Sequence, residues 1–204
     1  PEGHCIVGCY VVSVAGRLII LADATVNIYP DQRTLAEIAV QTSRVARRFG
    51  LEPRVAMLSF SNFGTNREQR STRLEEAVAT ARELDPTLKI DGPMQADTAL
   101  DTLVQEEYPF LNFDGPDNVL VCPNLAAANI AYKLLEQLAD AEMIGPILEG
   151  TTFPVQIVAR NDEVRDIVNI ATLCVAEACR GDSYWETLRS LSLIHISEPT
   201  RLAT

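Results

Sequence analysis

Two apolar runs open the chain, CIVGCYVVSV and RLIILADATV, separated at Ala15-Gly16. Runs rich in β-branched residues around a short glycine turn predict a β-hairpin. After Pro30-Asp31 the period changes. Leu35, Ile38, Ala39, Val45, Ala46 and Phe49 recur at three- and four-residue spacing and predict one helix to about Phe49. Gly50 stands where a left-handed cap belongs, and Arg44, Arg47 and Arg48 suit the negative end of the helix dipole. Strand and helix signals then alternate. RVAMLSF reads as a strand, and Asn66 to Leu84 as a helix stopped by Asp85-Pro86. LKIDG is a strand, Ala96 to Tyr108 a helix, NVLVC a strand, and PNLAAANIAYKLLEQLA its following helix. MIGPILEG and PVQIVA are two further strand candidates. The last helix runs from about Asp162 to Cys179, with Val164, Ile167, Val168, Ala171, Val175 and Ala178 as its apolar side. Apolar strands alternating with helices predict an α/β fold, a doubly wound layer sandwich whose mostly parallel sheet is covered on both faces.

Charge and composition narrow the function. The 204 residues hold 17 Lys+Arg against 28 Asp+Glu, a net charge of −11 with no basic run, which argues against nucleic acid as a partner. No apolar stretch reaches membrane-spanning length, and the opening PEGHCIVGCY lacks the shape of a signal peptide, so a cytoplasmic protein without a membrane partner is expected. The opening also lacks a methionine and reads as a cut end. The tail SLSLIHISEPTRLAT fits neither period and resembles a translated sequencing run-off; residues 190–204 are read as non-native and residues 1–182 as the domain. Five cysteines, Cys5, Cys9, Cys122, Cys174 and Cys179, form no CxxC, and the only histidines are His4 and His195. Buried thiols in a reducing compartment are therefore expected rather than disulfides or a metal site. Neither GxGxxG nor GxxxxGK[ST] occurs, and no Ser/His/Asp or Cys/His grouping can be assembled.

Ligands of open parallel sheets bind beyond the carboxyl ends of strands. Three polar exits qualify. Ser61, Asn62 and Thr65 follow RVAML and suit phosphate oxygens, or equally a turn and a helix cap. Asn124 suits a helix N-cap, and Asn129 lies inside that helix, where its poor intrinsic preference points to a tertiary partner or a ligand. Arg160, ahead of the final helix, suits an anion or a surface ion pair, with Asp162 as a cap and Asp166 one turn on.

Read as words, LADATVNIYPDQRTLAEIA, RVAMLSFSNFGT, DGPMQADTAL, NVLVCPNLAAANIAYKLL, AEMIGPILEG and PVQIVARNDEVRDIVNIA resemble, in order, the phosphate acetyl/butyryltransferase family. The SFSNFG spelling is similar to the version fused to the C-terminus of bacterial NADP-dependent malic enzymes. The resemblance implies the phosphotransacetylase fold, with an N-terminal portion of the domain absent. It implies acetyl-CoA or coenzyme A as a ligand, no covalently bound cofactor, and NADP and a divalent metal only in the malic enzyme region. It also implies that region as a partner in cis, and self-association. Asp166 matches the family's general base and Arg160 its arginine. Ala159 stands where the family motif Asp-Leu-Ser-Arg-Gly has serine. Alanine cannot donate to an oxyanion, and loss of one such donor costs about a hundredfold or more in rate. The resemblance thus implies a regulatory, oligomerising domain that binds acetyl-CoA to inhibit a malate-decarboxylating parent. The alternative is an active transferase that moves acetyl between coenzyme A and phosphate.

Overall fold

The computed structural model describes residues 5–63, 69–111, 115–158, 160 and 162–179. The expected hairpin is present: β1 (Val7–Val14) and β2 (Arg17–Ala22) pair antiparallel around Ala15 and Gly16, both at positive φ. Helix α1 (Gln32–Arg48) starts at Asp31, whose carboxylate accepts from Thr34 N at 2.8 Å, and ends as Gly50 turns to φ +78°. Next come β3 (Arg54–Leu58), α2 (Gln69–Leu84) and β4 (Lys89–Met94). The expected start of α2 near Asn66 lies outside the described residues.

The helix expected over Ala96–Tyr108 is two short ones, α3 (Ala96–Leu100) and α4 (Thr102–Gln105). Asp101 divides them: its backbone is extended and its carboxylate caps α4 by accepting from Leu103 N at 2.9 Å. An Asx cap competes here with helix continuation. The chain continues through β5 (Val119–Val121), α5 (Leu125–Leu138), β6 (Glu142–Glu149) and α6 (Val164–Cys179).

The six strands form one sheet in the order β4-β3-β5-β2-β1-β6. β2, β3, β4 and β5 run parallel, and β1 is antiparallel to both β2 and β6, so β6 points the same way as β2. Side-chain alternation along the strands makes two cores. Val7, Cys9 and Val11 join residues of α1, α2 and α6 on one face; Val12, Leu21 and Leu120 join residues of α3 and α5 on the other. Burying each such aliphatic side chain contributes about 1.5–3 kcal/mol.

Two expectations about the end of the chain are corrected. The strand expected over PVQIVA is not seen in its described residues: 154–158 make no ladder, and Gln156 ties the segment to β6 by accepting from Leu148 N at 2.9 Å. And α6 buries Ile170, Leu173 and Ala176, whereas Val164, Ile167, Val168 and Val175 are exposed, Val164 at 78%. The helix is apolar on both sides, so periodicity alone could not choose the inward one.

Candidate functional site

A cleft of about 260 Å³ opens between α5, β6 and α6. Its floor holds Tyr10 of β1 stacked on Tyr132 of α5, ring centroids 4.5 Å apart and planes at 16°. Burial, then the contact with Tyr132, pushes the Tyr10 phenol well above its ordinary range. One rim is Lys133, whose ammonium lies 4.6 Å over the Tyr132 ring and 2.9 Å from Glu136. The hydrogen bond to Glu136 raises the lysine further. Gly145 brings the β6 backbone against Tyr10. It has φ +152°, and a Cβ there would lie 2.8 Å from Tyr10 Cδ1, so only glycine allows this approach.

The opposite wall carries Asp162, Asp166 and Asn169. Asp166 is half-buried in the first turn of α6, and its Oδ2 accepts from Glu163 N at 3.2 Å. It therefore acts as a first-turn cap. Asn169 Oδ1 is buried with no hydrogen-bond partner, although the residue lines the cleft. A buried acceptor left unmatched suits a ligand N–H or O–H. Arg160 is exposed. Ala159 and Asn161 lie outside the described residues.

The other sequence candidates sit elsewhere. Ser61 is buried and its Oγ has no partner. Asn62 pins the exits of β3 and β4 together: Oδ1 accepts from Gln95 N at 2.7 Å, and Nδ2 donates to Tyr108 Oη at 3.0 Å. Phe63, Tyr108 and Phe110 pack beside it, Phe63 lying 4.9 and 4.7 Å from the other two ring centroids. Asn62 thus holds loops with the amide assigned to ligand. Thr65 lies outside the described residues. Asn124 caps α5, accepting from Ala127 N at 2.9 Å, and Asn129 is exposed, its Nδ2 reaching Ala24 O at 3.4 Å.

The three exits do not share one edge of the sheet. Ser61 and Asn62 lie past the carboxyl end of β3. The start of α6 lies at the opposite edge, because Arg165 reaches Glu142, the first residue of β6, at 3.8 Å. Residues 150–158 run back along β6, and Asp162 and Asp166 lie beside its amino-terminal half. Sequence reasoning also missed Tyr10, Tyr132 and Asn169. The signal for Asn169 was partial, a polar residue within an apolar helix whose inward side the sequence does not give. The tyrosine pair had none, since its members are 122 positions apart in the chain.

The cysteines are partly as expected. Cys9 and Cys122 are buried, with burial pushing the Cys122 thiol up to about 12, while Cys174 is half-buried and Cys179 exposed. Among the described residues no three His, Cys, Asp or Glu side chains gather as for a metal ion, and no helix is long and apolar enough to cross a membrane.

Comparison with known proteins adds kinship to this geometry. A family model described as "Phosphate acetyl/butaryl transferase" matches residues 1–175. Phosphate acetyltransferase from Bacillus subtilis is 37% identical over 172 residues, covering 84% of this chain and 53% of the relative. NADP-dependent malic enzyme from Rhizobium meliloti is 38% identical over 176 residues, covering 86% of this chain and 23% of that enzyme. Among solved structures, a phosphotransacetylase from Streptococcus pyogenes superimposes with a TM-score of 0.82 at 33% identity, covering 88% of this chain and 56% of the other. The chain therefore spans about half the length of the Bacillus subtilis phosphate acetyltransferase and about a quarter of the Rhizobium meliloti malic enzyme. A model match over most of its length, with the same mostly parallel sheet in a solved relative, makes this chain a member of the phosphate acetyl/butyryltransferase family.

Proposed function

We propose that the chain is the C-terminal part of a transferase-type domain fused to an NADP-dependent malic enzyme, and that it senses acetyl-CoA without turning it over. One observation carries the reading: a carboxylate, Asp166, lines the cleft while the neighbouring motif has Ala159 in place of the hydroxyl that acyl transfer uses. Loss of the donor removes oxyanion stabilisation. Allosteric control needs only a difference in affinity between two states. Asn169 Oδ1 offers an unmatched acceptor for an amide or hydroxyl of the ligand, and the Tyr10–Tyr132 stack an apolar floor. Arg160, Ser61, Asn62, Thr65 and Asn129 are proposed ligand contacts. Ser61 has the best support of these, a buried hydroxyl with no partner.

Self-association is part of the reading. It is supported by the exposed apolar side of α6 and by Ile130, Leu134 and Leu138 of α5, which recur every four residues facing out. The protein is proposed to act in the cytoplasm, with the malic enzyme region in cis supplying NADP and metal chemistry.

Calorimetry with acetyl-CoA, run beside an assay for acetyl phosphate formation from acetyl-CoA and phosphate, tests the reading. Binding heat without turnover is expected, and Ala159→Ser should raise any trace of turnover. Robust acetyl phosphate synthesis abolished by Asp166→Asn would establish the alternative, a working transferase. Absence of binding heat would remove the sensing role. In an intact fused enzyme, malate decarboxylation unchanged by saturating acetyl-CoA would remove the regulatory one.

A further inference from the structure

The crossover from β4 to β5 is held down by polar bonds more than by apolar burial. α4 buries none of its residues, and α3 buries Thr98 and Ala99, with the Thr98 hydroxyl left without a partner. The bonds converge just ahead of β5. Asp117 N donates to Ala99 O at 2.8 Å, and Gln105 Nε2 reaches the same carbonyl at 3.2 Å. Arg17 Nη1 donates to Leu100 O at 3.1 Å, and Arg54 Nε to Pro116 O at 2.7 Å. Segments with few buried apolar contacts open at low free-energy cost, so this junction decides whether the crossover stays seated.

Asp117 stands at its centre. The residue is fully buried, yet Oδ1 has no partner and Oδ2 has a long 3.4 Å contact from Gln105. Among the described residues, the charged groups facing it are Arg54 of β3, Asp91 of β4 and Arg17 of β2, with Asp91 itself paired to Arg82 of α2. From α3 and α4 it meets Ala99 and Gln105, which carry no charge. Arg17 and Arg54 donate to backbone carbonyls instead of closing an ion pair with it. A carboxylate buried without a paired cation is strongly disfavoured. Burial accordingly raises this carboxyl from its usual 3.8 to about 8, with Arg54 and Arg17 opposing and Asp91 adding.

The same crossover reaches the β3 exit. Gln95, the N-cap residue of α3, donates its N–H to Asn62 Oδ1 at 2.7 Å and its Nε2 to Phe60 O at 2.8 Å, and Tyr108 Oη accepts from Asn62 Nδ2 at 3.0 Å. Ser61 lies between these two anchored residues. We propose that Asp117 is a proton-controlled latch on residues 95–111: the segment seats while the carboxyl is neutral, and opening exposes and ionises it, freeing the β3 exit around Ser61 through Gln95 and Asn62. Seating takes up a proton. The seated form is therefore favoured fully below about pH 4 and loses that advantage as pH rises to about 8. The latch stands independently of the acetyl-CoA reading.

Hydrogen exchange of the full chain and of Asp117→Asn, which keeps the shape of the neutral acid, tests it at about pH 5 and about pH 7, both inside that window. The ratio of parent to variant rates at the Ala99 and Tyr108 amides should grow by about tenfold or more over this interval, with Gln95 following and the α1 amides showing no such growth. Asp91→Asn removes a charge that raises Asp117, so in that variant the pH at which the acceleration levels off should fall by about half a unit. That arm decides the matter if Asp117→Asn does not fold. A ratio at Ala99 and Tyr108 that stays constant with pH overturns the latch, as does a levelling pH that Asp91→Asn leaves in place. Equal growth at the α1 amides overturns it too, because Asp117 then acts on global unfolding alone. Growth at Ala99 with Gln95 unchanged overturns the link to the β3 exit.

Discussion

Asp117 lies in a polar loop just ahead of β5, yet its side chain is fully buried. Gln105 Nε2 reaches its Oδ2 at a long 3.4 Å, and its Oδ1 has no partner. Burial pushes the carboxyl from its usual 3.8 up to about 8, with Arg54 and Arg17 opposing and Asp91 adding. The folded chain holds this proton more tightly than the unfolded chain. The stabilisation is therefore complete below about pH 4 and is lost as pH rises to about 8. Asp117→Asn, which mimics the neutral acid, should flatten this loss and exceed the parent by about 2 kcal/mol at alkaline pH. Urea unfolding on either side of neutrality checks it; a variant that tracks the parent at both would remove Asp117 from the account. Nothing in the words PDN announces such a site, because burial depends on α3 and α4 folding over the loop. The caps were different. Asp31, Asn124 and Gly50 act through bonds to residues within four positions, so their roles were legible from sequence.

At the scale of elements, the docking of α6 illustrates a bond network spread over the whole chain. Arg48 of α1 forms a bidentate pair with Glu149 of β6, with its Nη2 at 2.7 Å from Oε2, and its Nη1 lies 3.1 Å from Glu177 of α6. Gln156 donates to Glu177 at 3.0 Å while accepting from Leu148 N. Burial raises the Glu177 carboxyl, so the second acid is held under stress. Removing the cation leaves two half-buried carboxylates facing each other. Arg48→Met should cost about 3–5 kcal/mol at neutral pH and expose the amides of α6 to exchange before those of the sheet. The double variant Arg48→Met with Glu177→Gln should lose less; equal losses would mean that charge repulsion is not the cause. This network explains why the segment 154–158 forms no strand. Its polar residue is drawn to Glu177 and β6, and with no ladder partner its apolar residues Val155, Ile157 and Val158 stay exposed.

For the molecule as a whole, the outward side of α6 sets a further expectation. Val164, Val168, Ala171, Val175 and Ala178 alternate at spacings of four and three, the seam of helix-to-helix packing. The chain should sediment as a self-associated species in a concentration-dependent way. Val168→Asp combined with Val175→Asp should return it to a monomer without loss of helical signal, since neither residue contributes to the buried face. A parent chain that stays monomeric at high concentration would assign that seam to something other than a second copy.

Fold class, hairpin, helix caps and family were decided by the sequence alone, because each rests on local periodicity, on contacts a few residues apart, or on motifs read in order. The cleft was decided by the tertiary structure. It took the sheet's order to stack Tyr10 on Tyr132, and the return of residues 150–158 along β6 to place Asp166 at the end opposite Ser61. It took the packing of α6 to choose which of two apolar sides faces in. Periodicity states that a helix has a side to bury; only the neighbour that arrives, with its charges and its shape, settles which.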